Sequence, residues 1–97
     1  MRYRLTRAAE DDLIGIFRQG AVLFGPVQAE RYFRELEKVF DLIAASPEIA
    51  RERAEISPPV RVHPHKTHLI VYLIEDGGGV LIVRIRLSHE DWVSAPV

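Results

Sequence analysis

A long stretch of helix-patterned sequence, Arg7 to Ala45, is cut in two by Gly25-Pro26, and this interruption limits the folds open to the chain more than any other feature. Glycine tolerates the conformation that ends a helix, and proline at a first helical position gives up only an N–H that has no partner there. The pattern predicts one helix over Arg7 to Phe24, a second over Pro26 to Ala45, and an antiparallel hairpin between them. The first has an inward stripe of Ala9, Leu13, Ile16, Phe17 and Phe24, with Glu10, Asp11 and Asp12 in its opening turns, where negative charge complements the helix dipole. Thr6 is its expected N-cap. The second places Ala29, Tyr32, Phe33, Leu36, Phe40 and Ile43 at helical spacing, and Ser46-Pro47 stops it.

Strand patterns flank the hairpin. Tyr3 and Leu5 alternate with Arg2, Arg4 and Thr6, which predicts a short first strand. From Glu48 to Pro59 the pattern fades into charged, proline-containing sequence, read as a surface loop. Strands are then expected at Val60 to His63, His68 to Glu75 and Val80 to Leu87, the last two joined by Asp76-Gly77-Gly78-Gly79, whose glycines suit a tight hairpin. The order predicts a single α+β domain over 1–97: an N-terminal strand, an antiparallel two-helix hairpin, then three antiparallel strands, with the helices on one face of the sheet.

Composition narrows the function classes. A chain of 97 residues has material for one core only. With no cysteine, disulfides, thiolate nucleophiles and cysteine-based zinc sites are excluded, and a cytoplasmic home is expected. The opening residues lack the order of a signal peptide, and no apolar run approaches the roughly 20 residues of a spanning helix, so secretion and membrane insertion are not expected. Thirteen basic side chains against 14 acidic ones give a net charge of -1, which argues against general nucleic-acid binding through many phosphate contacts. The basic residues are nearly all arginine, lysine occurring only at Lys38 and Lys66.

Particular residues carry a family resemblance. Tyr3-Arg4-Leu5-Thr6, followed by Ala8 or Ala9, Asp12-Leu13 and Ile16, resembles the start of ParE-type toxins of the RelE/ParE superfamily. Phe24-Gly25, Ala29, Tyr32, Leu36 and Ala44 to Pro47 are similar to their second helix and its exit. His68-Leu69-Ile70-Val71-Tyr72, a glycine hairpin and Ile82-Val83-Arg84-Ile85 resemble the family's "H-x-I-x-Y … I-x-R-I" strand pair. The resemblance implies a small RelE-like fold and a toxin held by an antitoxin. For ParE-type members the implied partners are a ParD-like antitoxin and, as target, DNA gyrase; for RelE-type members the target is mRNA on the ribosome.

The residues bear on that choice. In the last strand strict alternation sends Leu81, Val83, Ile85 and Leu87 toward the helices and Val80, Ile82, Arg84 and Arg86 to the open face. With Arg61 and His63 from the preceding strand, that face is a candidate for an anionic ligand; solvated arginines on an exposed sheet are the plainer reading. A two- or four-residue hairpin loop places Leu69, Val71 and Leu73 beside the arginines, and a three-residue loop places His68, Ile70 and Tyr72 there. Only the second register gathers His, Tyr and Arg as a metal-free ribonuclease requires. RelE-type nucleases are recognised by several lysines and arginines on the sheet and a tyrosine near the C-terminus; here the late lysine is Lys66 alone, and the tail has Asp91-Trp92 instead.

A non-enzymatic toxin is therefore expected, with a ribosome-dependent endonuclease or a non-toxic antitoxin-binding module as alternatives. Arg61, Arg84, Arg86, His89, Asp91 and Trp92 are the candidate target-binding residues, because arginines and a tryptophan anchor interfaces well. Leu13, Phe17, Phe24 and Tyr32 are the candidate antitoxin contacts, along a valley that a two-helix hairpin leaves for an amphipathic partner helix. His63-Pro64-His65 and His68 lack an acidic ligand at motif spacing, and Pro64 favours a turn over a rigid strand, so no metal is expected. Gly77 to Gly79 lack the helix of a phosphate loop and Ser57, Ser88 and Ser94 lack a nucleophile motif, so no cofactor is expected either.

Overall fold

In the computed structural model of the chain, residues 3–89 are described. The elements are β1 (Tyr3–Leu5), α1 (Arg7–Phe24), α2 (Pro26–Ala45), a 3-10 turn (Pro47–Ile49), β2 (Glu52–Arg53), β3 (Val60–His65), β4 (His68–Ile74) and β5 (Val80–Leu87). They form one sheet in the order β1-β5-β4-β3-β2, with β1 parallel to β5 and the other pairs antiparallel. The first strand thus lies beside the last, and the helical hairpin is the crossover from β1 at one edge of the sheet toward β2 at the other.

Thr6 fixes that crossover. Its hydroxyl accepts from the Ala9 N–H at 3.0 Å and donates to the Val83 carbonyl at 2.8 Å, while its own N–H donates to the Ile82 carbonyl at 3.0 Å. One residue therefore caps α1 and ties it to β5. At the other end Gly25 adopts φ 91°, ψ 157°, a region essentially restricted to glycine, and Pro26 opens α2.

The core lies between helices and sheet: Ala9, Leu36, Val39, Phe40 and Ile43 pack against Ile70, Tyr72, Val80, Ile82 and Ile85. Each large apolar side chain buried here contributes roughly 1.5–3 kcal/mol. A second cluster, Ile56, Val60, Val71 and Val83, sits apart from the first, with Val62, Leu69, Leu73 and Leu81 around it. The sheet is thus apolar on both faces, and Ile56, from the segment expected as a plain loop, covers part of the second. That segment also holds the 3-10 turn and β2, which the sequence pattern did not reveal.

The helical stripes are only half buried. Ala9 is the buried residue of α1, whereas the stripe members Phe17 and Phe24 are 36% and 71% exposed. The hairpin rests on the sheet through the first half of α1 and the second half of α2. Its far end carries Val22, Leu23, Phe24 and Val27, all exposed. Pro64 also departs from expectation, continuing β3 opposite Leu69 instead of making a turn. The short β2 meets β3 only at Val60 and Arg61, so the missing N–H of Pro64 falls where no ladder bond is required.

Candidate functional site

The backbone of β5 decides which side chains share a face. Near the turn, Glu75 N–H donates to the Gly79 carbonyl, Gly78 N–H donates to the Glu75 carbonyl, and Gly78 has φ 89°. Ile74, Leu73 and Tyr72 accordingly pair with Val80, Leu81 and Ile82. The register then slips at Val71/Tyr72, leaving Val83 as an extra residue, so that Val71 pairs with Arg84, Ile70 with Ile85 and Leu69 with Arg86. This β-bulge breaks the strict alternation assumed from sequence. Val80 and Ile82 lie under the helices and Leu81 and Val83 on the other face, the reverse of the expectation, while Ile85 keeps its expected side. Opposite the arginines the first anticipated register holds, with Val71 beside Arg84 and Leu69 beside Arg86, so His68, Ile70 and Tyr72 do not join them.

The bulge also determines the surroundings of Arg84. β1 accompanies β5 only from Val80 to Ile82, and the next stretch of that edge is met by Asp12 of α1. The Asp12 carboxylate accepts from Arg84 Nε at 2.7 Å, from Arg84 Nη2 at 2.9 Å and from the Ile85 N–H at 2.9 Å. Both side chains are largely removed from solvent. Such a bidentate, charge-assisted contact is among the stronger polar interactions in a protein, and here it fastens α1 to the sheet edge.

The other candidates do not gather around Arg84. Arg61 pairs in register with the core residue Tyr72, and its Nη1 donates to the Ala50 carbonyl at 2.6 Å. The Tyr72 hydroxyl donates to the Pro47 carbonyl at 2.6 Å, so the two side chains together hold the 3-10 turn below α2. His63 pairs with Ile70, also a core residue. Arg61 and His63 thus lie on the helix side of the sheet, and the expected four-residue basic face does not form. Arg86 pairs with Leu69 of the outer cluster. His89 borders a groove described next, and Asp91 and Trp92 lie outside the described residues.

That groove, about 1160 Å³, runs between α1, the start of α2 and the ends of β4 and β5. Its floor is apolar, with Ile16, Phe24, Ala29, Tyr32, Ile85 and Leu87. One rim is a bonded cluster. Tyr32 Oη lies 2.7 Å from His68 Nδ1, and the His65 ring stacks on Tyr32 at 5.8 Å between centroids. Lys66 Nζ donates to Glu35 Oε1 at 2.8 Å, and His65 Nε2 lies 3.2 Å from the same oxygen. Burial, and secondarily the charge of Glu35, pushes the Tyr32 hydroxyl up to about 12, which keeps the phenol protonated and able to donate to His68. Lys66 first, then His65, holds the Glu35 carboxyl below its ordinary range. Lys66 reaches this position at φ 55°, rare for a residue with a side chain. Among the described residues, no group of three or more His, Cys, Asp or Glu side chains is placed to hold a metal ion.

The family model for the ParE toxin of the type II toxin–antitoxin system parDE matches residues 3–92. The chain is 36% identical over 90 residues to toxin ParE1 of Mycobacterium tuberculosis, covering 93% of this chain and 92% of that one. It is 32% identical over 89 residues to toxin ParE of Escherichia coli, covering 92% and 86%. The chain belongs to the ParE toxin family. A solved structure of the chromosomal ParDE system from P. aeruginosa contains a chain of the same fold, with a TM-score of 0.76 at 22% identity over 90% of this chain and 95% of that one.

In this ParE-family toxin the four candidate antitoxin contacts divide. Phe24 and Tyr32 line the groove. Leu13 packs against the core, and Phe17 meets Phe33 edge-on, ring centroids 6.2 Å apart, in a shallow depression elsewhere on the hairpin. Sequence reasoning gave Asp12 no contact to the sheet, taking it as a helix-dipole charge and part of the family's opening pattern, and did not place Gly15, Gly20 or Lys66 at a groove. An in-stripe glycine in α1 and the lone late lysine were the available signals.

Proposed function

We propose that this ParE-family chain is a non-enzymatic toxin that disables DNA gyrase by binding it in the cytoplasm, and that a ParD-like antitoxin neutralises it by seating an amphipathic helix in the groove beside the hairpin. The observation that carries the reading is the state of the polar groups a nuclease would use. Arg84 is engaged by Asp12, Arg61 by the Ala50 carbonyl, Lys66 by Glu35, and His68 Nδ1 by Tyr32. A metal-free ribonuclease needs clamps and a proton-transfer pair converging on one phosphate; here Arg61 and Arg84 hold other parts of the fold, away from the Tyr32, Lys66 and His68 rim, whose polar groups bond to one another and to Glu35. The groove, by contrast, offers apolar floor and exposed aromatic edge, the surface an amphipathic helix reads.

The test is binding of the purified cognate antitoxin by calorimetry. Phe24 is exposed enough for Phe24→Glu to leave the fold intact, and loss of an aromatic anchor with burial of a charge should weaken binding by roughly thirtyfold or more. Affinity within about threefold of the parent would place the antitoxin elsewhere.

A further inference from the structure

Gly15 lies in the middle of α1 and lines the groove. Gly25 and Gly78 have positive φ angles that explain their glycine, but Gly15 has an ordinary helical conformation. A Cβ built on Gly15 meets nothing within 4 Å, and one built on Gly20 meets Ala29 Cβ at 3.5 Å, an ordinary contact. Neither conformation nor packing within the chain accounts for Gly15. Glycine is nonetheless among the least favourable residues in a helix interior, surpassed only by proline. Its compensating property is to let another backbone come close.

Resting on the antitoxin reading above, we infer that Gly15 is the point of closest approach in the complex, where an antitoxin helix crosses α1 with a small or apolar residue against the bare backbone. The wall around Gly15 adds a charge requirement. Asp12, also on the wall, is neutralised by Arg84, whereas Asp11 is exposed one turn before Gly15 and also borders the groove. The antitoxin helix therefore places a lysine or arginine beside Asp11, one turn of α1 away from the crossing.

Gly15 variants separate toxin stability from complex stability in a way that an ordinary structural glycine does not. Gly15→Ala should raise the melting temperature of the free toxin by roughly 4–8 °C, because helix propensity improves with no steric conflict. The same variant should bind the cognate antitoxin roughly tenfold more weakly, and Gly15→Leu roughly a hundredfold more weakly, since added volume at a close contact is poorly accommodated. Asp11→Lys should weaken binding as well, with a loss that shrinks as salt is raised. Phe24→Glu is the control for the groove itself. If Phe24→Glu weakens binding while Gly15→Ala and Gly15→Leu bind like the parent, the close approach is refuted and the groove stands. If none of these variants changes affinity, the groove reading fails together with this one. Parent-like binding by Asp11→Lys alone removes the basic partner residue.

Discussion

Removing the Asp12 carboxylate should unfasten α1 from the sheet edge. In Asp12→Ala, Arg84 loses both of its hydrogen bonds to Asp12 and the Ile85 N–H loses its acceptor. Exposed ion pairs contribute about 0–1 kcal/mol, while breaking a buried one by deleting a partner costs about 3–5 kcal/mol. With side-chain exposures of 22% for Arg84 and 16% for Asp12, this pair lies toward the buried limit, so a loss of about 3 kcal/mol is expected. For a domain of this size that lowers the melting temperature by roughly 12–24 °C. The assay is thermal unfolding by circular dichroism, with Arg4→Ala as the comparison: the Arg4–Glu75 pair is as short at 2.6 Å but exposed, and its loss should leave the transition almost unmoved. Asp12→Asn, which keeps an acceptor for Ile85, should fall between. Removing the Arg84 charge as well, in Asp12→Ala/Arg84→Met, should recover part of the loss. A melting temperature for Asp12→Ala within about 2 °C of the parent would refute the clamp.

Two further changes probe the fold and the groove rim. Gly25→Ala places a Cβ at φ 91° with no neighbour in contact, so its cost is backbone strain alone, about 1–3 kcal/mol, read as a lowered denaturant midpoint with unchanged slope. Glu35 is held below its ordinary value of 4.5 by Lys66 and His65; its contribution is therefore complete above the unfolded value and lost as pH falls through the lower folded one. Parent toxin should lose more stability than Glu35→Gln on acidification below about pH 4.5, and parallel stability curves from pH 6 to pH 3 would show that the Lys66 and His65 contacts contribute nothing.

The Gly25-Pro26 break and the flanking stripes made the helical hairpin legible, because both helix ends depend on local backbone chemistry. The tertiary placement was less so. Periodicity gives the face that Phe17 and Phe24 occupy, but not how far along α1 the core extends, so the far part of an expected core stripe is exposed. Alternation assigned the faces of β5, yet the extra residue at Val83 reverses the assignment between Val80 and Val83, and nothing in a run of valine, leucine and isoleucine marks a bulge. Asp12 carried a valid local reading as a first-turn acid. Its partner is 72 residues away in sequence, a contact that only the parallel placement of β1 beside β5 brings about. Of the four residues assigned to a valley beside the hairpin, Phe24 and Tyr32 line the groove and Leu13 and Phe17 do not, because the element order implies a valley but not where along the hairpin it runs.

Gyrase inhibition is the most direct test of what the toxin does. Purified toxin should stop supercoiling of relaxed plasmid by gyrase, an equimolar amount of cognate antitoxin should restore it, and the same toxin added to translating ribosomes should leave mRNA intact. Uninhibited supercoiling at micromolar toxin, together with antitoxin-sensitive cuts in ribosome-bound mRNA, would contradict the gyrase reading and assign the chain to the ribonuclease branch.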